Sequence, residues 1–420
     1  MRGGLAVRRA CRGGTDRCWP GEFKLDAEGE KRLLLVLGLC GFASAFAARS
    51  TDPIVNSIAA QFQAPVATVA LLSSCYALPY GLGQPVLGPM GDAAGKISVL
   101  RVCLVVFALA LAAGVFATSL EQLFVSRILA GVAAGGVIPL ALAMVGDAFA
   151  YERRQVAISR FLAAALIGQL LGVTSSGVMA DWVGWRGALA VTALAALLAV
   201  VGVFAGLPAE AVRRERSRFS VADAMGRYRL VFANPRSLVC FGTVFVEGLA
   251  IYGVLPFVPE LLQARGGGTA TQAGFVIAGL GLGGMAFSAS VSLLLRRFPV
   301  YLLMRAGGLL GGLGLAGLAA APNWFTMLAC FTALGFGFFM LHNSLQNRAT
   351  ELAPTARGSA IALHAFFFFL GQALAPPAFG AGLHRLGAEP ALLACAVILA
   401  LGGVAAGLLL KRADIREGLA

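Results

Sequence analysis

The sequence predicts an all-α integral membrane protein, with twelve transmembrane helices in two pseudo-symmetric bundles of six. Three observations predict this. First, 59% of the 420 residues are hydrophobic and 13% charged, with mean hydropathy +0.83, which is too apolar for a water-soluble domain. Second, crossing a hydrocarbon core takes about 20 apolar residues as a helix, and such runs follow one another almost end to end. Third, the halves match at an offset of 203 residues: Arg154, Ala157, Ile158, Gly168, Gln169, Leu171 and Gly177 reappear as Arg357, Ala360, Ile361, Gly371, Gln372, Leu374 and Gly380. An odd-numbered run matches an odd-numbered run six crossings later, so the two copies share one orientation.

In order, the predicted helices cover 33–57, 66–88, 98–118, 121–146, 156–180, 187–207, 237–259, 271–295, 300–320, 324–346, 358–383 and 390–410. Most breaks are short and carry turn chemistry: Pro65, the glycines from Gly88 to Gly95, Asp181–Gly184, Ala321–Pro322–Asn323 and Gly387–Pro390. The one long interruption, 208–236, is basic and weakly amphipathic. It divides the chain into bundles over 33–207 and 237–410, with tails at 1–32 and 411–420. The first tail is rich in Gly and Arg and reads as disordered or as an over-extended translation start. No secretory cleavage pattern precedes the first helix.

Lys and Arg set the orientation, because positive residues are retained on the cytoplasmic side. With both termini in the cytoplasm, 28 of the 33 basic residues fall on that side. The net charge of +13 is thereby read as topology toward anionic lipid, with no nucleic-acid partner. Six of the eight cysteines (Cys40, Cys75, Cys103, Cys240, Cys330, Cys395) lie in apolar runs without metal-ligand spacing, so no metal or cofactor is expected.

Several motifs stand out. The stretch GPMGDAAGK (88–96) is a short loop between the second and third helices, where Asp92 can accept from N–H groups at a helix start and Lys96 can face headgroups. In the fourth helix Arg127, Gly131 and Gly135 share one face at spacing four, and small residues at that spacing admit a neighbouring helix. Arg127, inside an apolar span, either finds a partner or snorkels to the outer interface. The fifth helix carries Gly168, Gly172 and Gly177, which would also serve close packing against the bare GLGLGG run (279–284) of the eighth.

Gly88, Asp92, Gly95 and Lys96 fill the places of the signature loop of the major facilitator superfamily, and the chain resembles that family from about residue 33 to 410. The Arg127–Gly131–Gly135 pattern is similar to one associated with its proton-coupled members. The run 168–177 resembles the antiporter signature of its drug-exporting branch, with Val173 in place of the proline and Ser176 in place of a glycine. HNSLQNRATELAPTARG (342–358) and WVGWR (182–186) look like segments of bacterial drug:proton antiporters with twelve helices. The resemblance implies the major facilitator fold, a secondary transporter in a bacterial inner membrane, and a loop at Gly88–Lys96 that stabilises the outward-facing form.

Ionisable residues inside apolar spans mark the places where transport chemistry can sit. Glu247 is predicted about 15 Å deep, counting about 1.5 Å per residue from Ser237. It either exchanges a proton or holds a permanent ion pair, with Arg127 as the candidate partner. Arg49 and Asp52, three apart beside Pro53, form a second candidate, as a site or as a shallow interface anchor. His342 and His364 can titrate near neutral pH or simply pack among aromatics. Tyr76, Gln84, Gln169, Tyr252, Asn343, Gln346 and Gln372 are further pocket candidates, and the run Phe366–Phe369 suits an amphipathic solute.

A membrane enzyme would need paired ligands or a nucleophile with its base, and three histidines with no His-x-x-His or Cys-x-x-Cys spacing do not supply them. No P-loop is present for ATP-driven pumping. The function expected is proton-coupled efflux of a small amphipathic or drug-like solute by alternating access, by a protein working as a monomer in lipid. A proton-coupled importer or passive facilitator of a metabolite such as a sugar is the alternative.

Overall fold

A computed structural model describes residues 27–207 and 221–416. All of its regular elements are helical: α1 (Ala27–Ala48), α2 (Val55–Phe62), α3 (Val66–Ala94), α4 (Lys96–Val115), α5 (Leu120–Ala134), α6 (Val137–Ala148), α7 (Tyr151–Gly206) and α8 (Val221–Ala233) lead into the second half. There follow α9 (Arg236–Tyr252), α10 (Val258–Gln263), α11 (Ala270–Arg297), α12 (Val300–Ala320), α13 (Trp324–Glu351), α14 (Arg357–Leu386) and α15 (Ala388–Arg416). Among the described residues eleven helical runs are long and apolar enough to cross a membrane. The longest, α7, holds two crossings, because Gly184 leaves helical geometry at φ 79° and folds the run back on itself. The described residues therefore make twelve crossings, as expected, and the start of α1 and the end of α15 share one face, the terminal face; the opposite face is the distal one.

Helix ends depart from the sequence reading in informative ways. GPMGDAAGK is not a loop: α3 continues through Gly88, Gly91 and Asp92 to Ala94, and the turn is made by Gly95 alone at φ 95°. A single residue with left-handed freedom is enough to reverse the chain there. The fourth crossing, predicted unbroken, is interrupted at Gly135–Gly136 between α5 and α6. The first crossing runs to Phe62 after a 3-10 turn at Asp52–Ile54, where Pro53 has no N–H to continue the ladder. The expected linker contains α8 at 221–233, whose Tyr228 hydroxyl donates to the Pro85 carbonyl of α3; residues 208–220 lie outside the described residues.

Both expected tails are partly built into the fold. Arg153 donates twice to the Glu30 carboxylate, at 2.6 and 2.8 Å, and so ties the start of α1 to α7. In α15, Asp414 is 1% exposed and is held by Arg236 at 3.2 Å, Arg348 at 3.1 Å and the Tyr301 hydroxyl. A buried carboxylate needs such company. Residues 1–26 and 417–420 lie outside the described residues.

The internal repeat is present as packing. A Cβ on Gly168 of α7 would lie 2.4 Å from the Phe42 carbonyl oxygen of α1, and one on Gly371 of α14 would lie 2.2 Å from that of Phe245 in α9. Phe245 is Phe42 shifted by the same 203 residues, so each half uses the same glycine against the same carbonyl. Such backbone-to-backbone approach is what small residues supply between membrane helices, where no hydrophobic force drives association.

The halves meet at their distal ends. Cβ atoms on Gly177 of α7 and Gly274 of α11 would lie 2.3 and 2.8 Å from the carbonyls of Ala270 and Val173. Asp181 of α7 accepts from the Ala270 and Thr271 N–H groups at 3.1 and 2.9 Å, capping α11 from the other half. The antiporter-like glycines therefore serve two contacts. Gly168 and Gly172 face Phe42 and Phe46 of α1; within the GLGLGG run of the eighth helix, Gly281 meets Leu170 of α7, as expected, while Gly279 and Gly283 face Leu328 and Thr332 of α13.

Candidate functional site

Polar residues of the first half gather where α1 breaks. Asp52 is fully buried, accepts from the Ser73 hydroxyl of α3, and lies 3.9 Å from Arg49. It is no shallow anchor, because the first crossing continues two turns past it and α3 covers it. Arg127 of α5, 2% exposed, donates to the Ala47 and Ala48 carbonyls at 3.2 Å each and lies 4.3 Å over the Tyr76 ring. The break in α1 frees those carbonyls, and the guanidinium takes them, so the arginine does not snorkel. This polar layer separates a distal apolar cluster around Ile54, Leu72 and Leu123 from a central one around Ala47, Tyr76 and Phe107.

Glu247 of the second half is 0% exposed, and its partner is His342: Nδ1 lies 2.9 Å from Oε2. The expected pairing with Arg127 does not occur, since that arginine is engaged within its own half. The other carboxylate oxygen, Oε1, is buried without a hydrogen-bond partner, as is Nε2 of His364. The two imidazoles lie 5.0 Å apart edge to face.

Aromatic rings join the two polar groups. Arg49 reaches across to lie 4.3 Å over Tyr252 of α9, which meets Phe338 and Phe368 edge to face at 6.0 and 5.4 Å. Phe368 lies 4.7 Å from His342, and the next residue, Phe369, meets Tyr80 of α3 at 4.3 Å. The chain of contacts from Asp52 to Glu247 thus crosses between the halves. Of the Phe366–Phe369 run, Phe368 and Phe369 lie at this junction, while Phe367 stacks on Phe241 at 5.3 Å.

Of the residues singled out in the sequence, Arg49, Asp52, Tyr76, Arg127, Glu247 and Tyr252 come together here. Gln372 is 2% exposed with Oε1 unpartnered, its backbone against Gly248 beside Glu247. Gln84, Gln169 and Asn343 are half-buried, and Gln346 is exposed and stands apart. Gly131 and Gly135 admit α3, a Cβ on each falling 2.4 and 2.6 Å from the Tyr76 and Tyr80 carbonyls. On the terminal face Lys96 donates to Asp147 at the end of α6, at 2.6 Å, rather than standing toward headgroups. The side chain of Asp92 lies outside the described residues. Ser73, Phe338 and Asp147 were not singled out in the sequence, and Asp181 was marked there only as part of a turn. Asp147 left a signal as an acid closing an apolar run on the same face as Lys96.

Two like six-helix halves around a shared, buried, charge-bearing junction define a multi-pass membrane protein of the transporter class. The Major Facilitator Superfamily profile matches residues 37–355 and 240–418 in two overlapping stretches, and the chain belongs to that family. It is 25% identical over 239 residues to the multidrug resistance protein MdtM of Escherichia coli O157:H7, 57% of this chain and 58% of that protein. It is 24% identical over 212 residues to the multidrug transporter MdfA of Yersinia pestis, covering 50% and 52%. The chain thus spans a little over half the length of these curated relatives. A solved bacterial homologue of the human lysosomal transporter Spinster, inward-facing and unoccupied, superposes with a TM-score of 0.69 at 16% identity, covering 92% of this chain and 96% of that one. The human organic anion transporter MFSD10 gives 0.67 at 17%, covering 90% and 99%. At those identities the likeness is one of fold.

Proposed function

We propose that the protein exports a small amphipathic, drug-like solute in exchange for protons, by alternating access. The halves, residues 33–207 and 237–410, rock about the junction in a bacterial inner membrane, with the terminal face in the cytoplasm and the monomer as the working unit. The observation that carries this reading is Glu247, fully buried with one oxygen unpartnered and set against an imidazole beside an aromatic lining. A carboxyl group there is costly when ionised, so binding and releasing a proton changes the balance of charge at the junction. The names of the multidrug relatives support the solute class. Arg49, Asp52 and Arg127 keep the first-half wall charged, while Gly88, Asp92, Gly95 and Lys96 act on the terminal face as the conformational element, with Asp147 as the partner of Lys96.

The test is Glu247→Gln in the full chain reconstituted in liposomes. Solute counterflow should persist, while accumulation driven by a pH gradient should fall by at least about 100-fold. Undiminished gradient-driven accumulation in the variant sinks the proposal.

A further inference from the structure

We propose that His342 is the proton gateway of Glu247: it carries each proton between water and a carboxylate that has no route of its own. This rests on the proton-coupled reading above and adds the residue through which the coupling passes. Glu247 is 0% exposed, whereas the His342 side chain is 15% exposed, so the imidazole is the member of the pair that meets the outside of the junction. From the ends of α9, α13 and α14 on the terminal face, Glu247, His342 and His364 lie about 16, 14 and 10 Å deep, at about 1.5 Å per residue.

The step balances on one ring. With Nδ1–H directed at Glu247 Oε2, a proton from water adds to Nε2 and gives an imidazolium; the Nδ1 proton then passes to Oε2, leaving a neutral carboxyl and a neutral ring protonated at Nε2. Release in the other orientation of the halves runs the same transfer backwards: Oε2 returns the proton to Nδ1, and Nε2 gives its own to water. Uptake followed by release restores the tautomer, so no ring flip is required within a cycle.

The surroundings favour transfer over a fixed ion pair. α9 contributes Glu247 and Tyr252, and α14 contributes His364 and Phe368. The cations of the other helices packed on α13 lie nearer the terminal face: Arg305 on α12, and Arg296 and Arg297 in the last turn of α11, with Arg348 on α13 itself bound to Glu351 and Asp414. Arg49 is held over Tyr252 and beside Asp52. Within the described contacts, then, no permanent cation is bonded to Glu247, and the one group able to bring it positive charge also gives that charge away.

The experiment compares His342→Gln and His342→Ala with Glu247→Gln, each as the full chain in liposomes, reading counterflow and gradient-driven accumulation side by side. Gln at 342 can still donate to Glu247 and cannot relay a proton. We expect it to keep counterflow and to lose gradient-driven accumulation by at least about tenfold. His342→Ala should show the same split and recover most of the lost flux when imidazole is added to the bath, whereas Glu247→Gln should not respond to imidazole. Gradient-driven flux within twofold of the parent in His342→Gln overturns the gateway, and so does loss of counterflow with it, or a His342→Ala protein that imidazole leaves unchanged. If Glu247→Gln itself retains gradient-driven flux, the coupled reading falls and the gateway with it, a result distinct from failure at His342 alone.

Discussion

At the residue scale the junction is a problem of buried charge. Asp52 and Arg49 are 0% and 5% exposed, and each makes the other tolerable. Removing one partner of such a pair strands the other and costs about 3 to 5 kcal/mol, while replacing both with apolar residues is often close to neutral. Asp52→Ala should therefore lower the unfolding stability of the detergent-solubilised protein by that amount, and Arg49→Met with Asp52→Leu should restore most of it without restoring transport. A double variant that transports normally would assign the pair a purely structural role. Glu247 was legible as the acid farthest from any loop, since depth along a helix follows from counting. Its partner was not: His342 lies 95 positions away on another helix, and nothing in one sequence says which faces meet.

Elements are held at this junction by glycine rather than by large side chains. A Cβ on Gly172 would fall 2.0 Å from the Phe46 carbonyl oxygen, which belongs to backbone and cannot swing aside. Gly184 has φ 79° with nothing within 4 Å, so a side chain there meets strain alone, about 1 to 2 kcal/mol. Gly172→Ala should accordingly depress the melting temperature in detergent far more than Gly184→Ala, and the reverse order would show that α1 and α7 do not touch as described. The spacing of Gly168 and Gly172 announced a close contact in the sequence, but α1 and the eighth crossing were equally good partners by composition. Helix ends were misjudged where one residue decided them: hydropathy broke α3 at Gly88, whereas backbone geometry turns it at Gly95.

For the whole molecule, the distal contact is one side of the proposed rocking motion. Asp181 caps α11 across the halves, and the glycine contacts beside it bring the two backbones together. Asp181→Ala removes the acceptor for two N–H groups, and a lost cap costs about 1 kcal/mol, enough to shift a balanced pair of conformations roughly fivefold. Spin labels at Trp182 and Phe275, both exposed, should then report a larger population of long distances across the distal face. An unchanged distance distribution would count against a gating role for this contact.

The sequence by itself determined that the chain spans a membrane twelve times in two like halves, because hydropathy, turn residues and the 203-residue repeat are one-dimensional properties and the lipid solvent leaves a spanning segment few other forms. It also marked which ionisable groups were costly enough to need a reason. Only the tertiary structure decided who answers whom: Arg127 with the carbonyls freed by the break in α1, Arg49 with Tyr252 of the other half, Glu247 with His342, Asp181 with the start of α11. Those choices depend on how helices rotate and cross. A period of 3.6 residues fixes each helix's own faces and leaves open which neighbour each face will meet.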